Sequence, residues 1–235
     1  MPYKDFSELV LYEQKEESFE ISIVDRNEQI TMAAVHGGPI EAWTDHLAEL
    51  AAGDVCNYYV FRALDPIKSE PFRIPVTRFN ELRLKNLMER SRTTIHIDGT
   101  PGDSLCVGLG TPDEDLQATM TDSLREAGFD VGGLWRPSEV YGGYHFFDHG
   151  LDANIQIELS TALRETLFDD SDDGNLKFNE RAQALANALR SGARTYLINR
   201  DMDLTRTMAW FDETTEHVKK TVFKDGDEQQ YHKHA

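Results

Sequence analysis

Cysteine is scarce: only Cys56 and Cys106 occur in 235 residues. That is too few for a disulfide framework, and neither stands in a CxxC or Cys/His pair that would suggest thiolate-bound zinc. Both read as buried thiols. No run of about 18 apolar residues is present, so no membrane-spanning helix is expected. The opening residues MPYKDFSELV carry acids where a secretory signal needs a basic start and an apolar core. The chain is therefore expected to be soluble and made in the cytoplasm, to be released by lysis or carried on a virus particle. Basic residues are few as well, 24 against 42 acidic ones for a formal charge of −18, with arginine outnumbering lysine 15 to 9. A surface of that sign repels phosphate backbones and anionic lipid, so neither nucleic acid nor a membrane is expected as a partner. Acid clusters such as Asp169-Asp170-Ser171-Asp172-Asp173, with little lysine, suit a high-salt setting in which self-repulsion is screened.

What is present is a core-forming chain, 40% hydrophobic, of a length that one domain can hold. Short β-branched runs predict strands over Glu20–Asp25, Ile30–Val35, Asn57–Phe61, Phe72–Val76, Thr93–Ile97, Asn154–Leu159 and Arg194–Ile198. Helices are predicted between them. Pro112–Ala127 has Thr111 as a cap, acids in its first turn and Gly128 beyond its end. Others are Glu180–Leu189, ended by Gly192, Glu41–Ala51 and Asn80–Glu89. Strands separated by helices imply a three-layer α/β domain over residues 1–211, with 212–235 as a charged helix or tail.

In such a sheet, ligands bind beyond the carboxyl ends of the strands. Three segments lie there. Ala34-Val35-His36-Gly37-Gly38-Pro39-Ile40-Glu41 ends an apolar strand in a histidine; two glycines then allow a tight turn that can bring a carboxylate back to the imidazole. Thr94-Ile95-His96-Ile97-Asp98-Gly99 again places a histidine at a strand end. In Asn154-Ile155-Gln156-Ile157-Glu158-Leu159-Ser160, period-2 alternation puts Asn154, Gln156, Glu158 and Ser160 on one face. That polar stripe belongs to an edge strand with a wet face or lines a cleft; alternation alone favours the edge slightly. A lone histidine at a strand end is usually a satisfied polar residue, but two histidines and a carboxylate together satisfy a catalytic zinc. They leave its fourth position for water, whose proton a further glutamate could take.

These residues resemble the phage-type poly-γ-glutamate hydrolase family. The similarity runs from His-Gly-Gly-x-Ile-Glu at 36–41 through Tyr58-Tyr59-Val60-Phe61, the strand bearing His96, Val107-Gly108-Leu109-Gly110 and Ala127-Gly128-Phe129. It ends at Ile155-Gln156-Ile157-Glu158-Leu159-Ser160 with Leu163-Arg164. The resemblance implies a mixed, mostly parallel sheet flanked by helices, similar to zinc carboxypeptidases, and cleavage of γ-glutamyl amide bonds. It also implies a Zn2+ held by His36, Glu41 and His96, with Glu158 as general base.

The chain departs from the family pattern in two places. An arginine-bearing segment expected before the Gln-x-Glu strand is replaced by the aromatic, histidine-rich stretch 135–150, where Arg136 and His145 are the candidate contacts to substrate. Asp98 differs from the glycine expected after the second histidine; period 2 puts it on the face of His96, as a partner of the metal ligands or a turn residue. The expected partner is an anionic γ-glutamyl polymer or peptide, which a −18 protein repels at low salt. The alternative is a non-catalytic, virus-associated structural or binding protein that keeps the hydrolase fold. Presence in a virion fits either reading.

Overall fold

The structure, a computed structural model, describes residues 2–134, 151–169 and 177–222. In chain order its elements are α1 (Phe6–Tyr12), β1 (Phe19–Val24), β2 (Ile30–Gly37), α2 (Thr44–Ala52), β3 (Asn57–Ala63), α3 (Leu82–Arg90), β4 (Thr93–Thr100), β5 (Val107–Gly110), α4 (Glu114–Glu126), β6 (Val131–Leu134), β7 (Ala153–Ser160), α5 (Thr161–Glu165), β8 (Phe168–Asp169), β9 (Lys177–Phe178) and α6 (Glu180–Val222). Seven strands form one sheet in the order β1-β3-β2-β4-β7-β5-β6. Pairs β3/β2, β2/β4, β4/β7 and β5/β6 are parallel, while β1/β3 and β7/β5 are antiparallel. The sheet is thus mixed and mostly parallel, as expected.

All eight residues of β2 are buried, which requires cover on both faces of the sheet. One covering layer is aromatic: Phe19, Tyr59, Phe61, Phe72 and Phe79 pack with Leu84, Leu87 and Met88 of α3 and Leu9 of α1. Against the other side of β2, α2 buries Leu47, Ala48, Ala51 and Ala52. At roughly 1.5–3 kcal/mol per fully buried large apolar side chain, these layers hold the central strands rigidly enough to carry a site.

Several predicted elements are corrected. Phe72–Val76 forms no strand but two 3-10 turns, Glu70–Phe72 and Val76–Arg78, because Pro71 and Pro75 lack the N–H a ladder needs. Arg194–Ile198 lies within α6, which continues through Gly192 to Val222. Gly192 is no stop: a Cβ there would come within 2.9 Å of Met120 Sδ, so the glycine serves close packing on α4. The cap of α4 is Asp113, accepting from Leu116 N at 2.8 Å, while Thr111 Oγ1 donates to Asn154 O. The predicted edge strand is interior: β7 lies between β4 and β5.

The chain divides into two compact units, Met1–Tyr196, which holds the sheet, and Leu197–Ala235. The described part of the second is helix, exposing Ile198, Met202, Leu204, Met208, Trp210 and Phe211. No helix among the described residues is long and apolar enough to cross a membrane.

Candidate metal centre

Strands β2, β4 and β7 run parallel, so their carboxyl ends lie side by side. His36 closes β2. The chain then turns through Gly37 and Gly38 and returns as Glu41 N donates to His36 O at 2.8 Å. Gly38 has φ +66, and a Cβ there would sit 2.3 Å from Ala63 O, so only glycine fits this turn. The turn delivers the Glu41 carboxylate to the histidine: His36 Nδ1 lies 3.3 Å from Glu41 Oε1. On the neighbouring strand, Asp98 Oδ1 lies 3.1 Å from the same nitrogen. His36 Nε2 donates to Ile74 O at 2.7 Å, which fixes the ring and aims Nδ1 at the two carboxylates.

His36, Glu41 and Asp98 are all buried, and one ligand atom from each lies within 4.8 Å of the others. A tetrahedral ion with bonds of about 2.0–2.1 Å separates its ligand atoms by about 3.3 Å. The His36–Glu41 and His36–Asp98 separations match that spacing, and one nitrogen with two carboxylate oxygens is a donor set for a divalent transition ion. Burial pulls the His36 pKa down, but its hydrogen bonds to Asp98 and Glu41, with their charges, outweigh this and lift it from 6.5 to about 10. A buried group under that much anionic field is where a cation is wanted.

The structure brings together two of the three ligands anticipated from sequence and adds Asp98. His96 stays close, its Nδ1 3.5 Å from Asp98 Oδ2, but it sits fully buried two residues earlier in β4. Asp98 Oδ2 also accepts from Gln156 Nε2 of β7. Period 2 puts His96 and Asp98 on one face, and the difference in depth along the strand decides which of them reaches His36. Burial pushes the Asp98 carboxyl up, but His96 and His36 hold it well below the usual carboxylate range.

The polar stripe of β7 is spent almost entirely on neighbours. Asn154 accepts from Thr94 N, Gln156 donates to Asp98, and Ser160 caps α5 by accepting from Leu163 N at 3.0 Å. Glu158 differs. It pairs in register with Asp98, is only half-buried, and faces Gly108, where a Cβ would stand 3.1 Å from its own. Burial, then the charges of Asp98 and Glu41, raise its pKa above the ordinary 4.5. Arg136 and His145 lie outside the described residues.

Two arginines that sequence reasoning did not assign stand beside the cluster. Arg73 Nη1 donates to Glu41 Oε1 at 2.5 Å and Nη2 to Ile40 O at 2.6 Å. Arg164 is buried against Gly99, where a Cβ would lie 2.7 Å from its Cζ, and Gly99 N donates to Glu41 Oε2 at 2.6 Å. Burial lowers the Arg164 pKa, Glu41 raises it, and the neighbouring Arg73 charge lowers it further.

Residues 3–188 match the family described as poly-gamma-glutamate hydrolase. The chain belongs to this family. Among curated proteins it is 28% identical over 169 residues to the SPbeta prophage-derived protein YoqZ of Bacillus subtilis (strain 168), across 71% of this chain and 61% of that one. The chain thus spans about three fifths of the length of the curated relative it matches. Its fold is that of a bacteriophage poly-gamma-glutamate hydrolase, with TM-score 0.73 and 16% identity over 83% of this chain and 97% of the other. It is also that of YNDL in a zinc-free apo form, with TM-score 0.71 and 22% identity over 84% and 98%.

Proposed function

We propose that this family member is a metal-dependent amide hydrolase that cuts the γ-glutamyl bonds of poly-γ-glutamate. The observation that carries the reading is the meeting of His36, Glu41 and Asp98 at the carboxyl ends of adjacent parallel strands, with the Glu158 carboxylate alongside in register. His36 Nδ1 and the Glu41 and Asp98 carboxylates would hold the ion. Zinc is the proposed metal: the donors are nitrogen and oxygen, and one solved relative is described as zinc-free in its apo form. When bound, such an ion lowers the pKa of a water towards about 7 and polarises a carbonyl.

The protein's own groups supply the rest. Ile74 O keeps the proton of His36 on Nε2 and so leaves Nδ1 as a donor of electrons. Gly99 N and Arg73 fix the two oxygens of Glu41, and Gln156 fixes Asp98. Glu158, with its raised pKa, takes a proton from the attacking water at a carboxylate oxygen and passes it to the departing amine. Homology to a prophage-derived protein supports a virus-associated setting, and the acid-rich composition supports a high-salt one.

The reading is tested by incubating purified protein with poly-γ-glutamate and following polymer length. Shortening that stops on chelation and returns with zinc is the expected result. Intact polymer in the presence of metal-loaded protein would reject it.

A further inference from the structure

Next to the cluster opens a cleft of about 320 Å³, lined by Glu41, Trp43, Arg73, Gly99, Pro101 and Arg164 among others. Two guanidinium groups in one cleft are notable in a chain of net charge −18. Their hydrogen bonds show how they are held. Arg164 Nε donates to Leu159 O at 3.2 Å, Nη1 to Ala42 O at 2.5 Å and Nη2 to Thr161 Oγ1 at 3.4 Å. Arg73 is anchored by Nη1 on Glu41 and Nη2 on Ile40 O. Each guanidinium carries five N–H groups, and every Nη has two. These bonds use one hydrogen of each Nη, so both arginines are fixed in place while keeping hydrogens for a ligand. Backbone oxygens, the Thr161 hydroxyl and the Glu41 and Glu70 carboxylates orient them, which lowers the ordering cost that long side chains normally impose on binding.

The chemistry of the polymer says what such a pair could take. In a γ-linked chain the nitrogen of every cleavable amide is attached to a carbon that also bears a free carboxylate. A negative charge therefore lies two bonds from the leaving nitrogen at every position along the chain. An ordinary α-linked peptide has a carboxylate there only at its last residue. A cation adjoining Glu41 lies within reach of that charge once the amide is at the cluster, and a planar fork matches its two oxygens.

We propose that Arg73 and Arg164 together bind this α-carboxylate, and that the pair sets the preference for γ-glutamyl chains over amides without the group. The inference rests on the hydrolase reading above. Glu41 and Glu165 line the same cleft, so the pair acts by directed hydrogen bonds to the carboxylate and not by net charge.

The test compares γ-glutamyl oligomers carrying free α-carboxylates with the same oligomers carrying α-carboxamides. Wild type, Arg73→Gln and Arg164→Lys are assayed with metal content measured on each preparation. The Arg164→Lys change keeps the charge, loses the fork and leaves the Arg73–Glu41 pair untouched. Wild type should favour the carboxylate form by about ten- to a hundredfold in kcat/KM, the range for a hydrogen bond to a charged group. Each variant should lose most of that preference through a higher KM for the carboxylate form, read as the ratio of the two substrates within one metal-loaded preparation. A preference retained in both metal-loaded variants would overturn the proposal. Should wild type cleave neither oligomer, the hydrolase reading fails, and calorimetric titration with glutarate decides the arginine pair on its own. Binding that weakens at least tenfold in Arg73→Gln upholds the carboxylate site; binding that is absent or equal in the variants overturns it.

Discussion

Exchanging Asp98 for asparagine removes one negative charge and keeps the side chain's size. Asp98 is 5% exposed and accepts from His36 and Gln156. Two unit charges 4 Å apart at an effective dielectric of about 20 interact by roughly 4 kcal/mol, and an ion at the cluster centre would lie closer than that to its ligand. Part of this is offset because the asparagine oxygen still presents a dipole and less charge must be desolvated. A net loss of about 3–4 kcal/mol follows, or roughly 10²–10³ in metal affinity. His96→Gln is the informative partner. On the proposed ligand set His96, its Nδ1 3.5 Å from Asp98 Oδ2, would support the ion through Asp98, and losing such a supporting contact weakens binding by about 10-fold, the low end of its usual range. Competition titration of each protein against a zinc-binding dye gives the two affinities directly. A reversed order, with His96→Gln the more damaging, would refute the reasoning and put the ion on His96.

Metal uptake should also release a proton. His36 is held charged up to about 10 in the metal-free protein, so Nδ1 must deprotonate to bind. Below that pH, apparent affinity should rise by up to about tenfold per pH unit, and titrations in buffers of different ionisation enthalpy should show about one proton released. The same raised pKa stabilises the metal-free fold below about 6.5, and that contribution should fade as pH rises through about 10, seen as a falling Tm. Gly99→Ala should destabilise by about 1–3 kcal/mol, or roughly 2–12 °C in Tm, because the new Cβ would meet Arg164 Cζ at 2.7 Å and Glu41 Cβ at 2.9 Å; an unchanged melt would mean the cluster has slack. If the 42 acidic residues reflect a high-salt setting, the Tm should be higher in about 2 M than in about 0.1 M potassium chloride, since the Debye length falls from about 10 Å to 2–3 Å.

The central strands were legible because β-branched runs and alternation survive burial on both faces, and β1, β2, β3, β4 and β7 all fall where those runs lie. Phe72–Val76 misled because its apolar content resembles a strand while Pro71 just before it and Pro75 within it forbid a ladder. Gly192 misled because a glycine kept for contact with Met120 looks the same in sequence as one that ends a helix. In the site, the His-Gly-Gly turn pointed to the meeting of His36 and Glu41, since two glycines allow a return tight enough to bring the carboxylate back to the imidazole. The approach of Asp98 to His36 could not be read: alternation gives the face of β4 but not the depth along it. Nor could Arg73, which reaches Glu41 from a proline-bounded turn 32 residues on, with no periodic signal. Arg164 lay within the matching segment, yet its place beside Gly99 depends on the packing of β4 against β7.

The most direct test of the account is Glu158→Gln. The change keeps the side chain's shape and removes its proton acceptor in a group that is half-buried, in register with Asp98 and raised in pKa. Zinc content, Tm and cleavage of poly-γ-glutamate are measured on one preparation beside wild type. The account predicts unchanged zinc, a Tm equal to or above that of wild type because a charge disfavoured by burial is gone, and turnover reduced by about 10²–10⁴. Turnover close to wild type in the metal-loaded variant would contradict it.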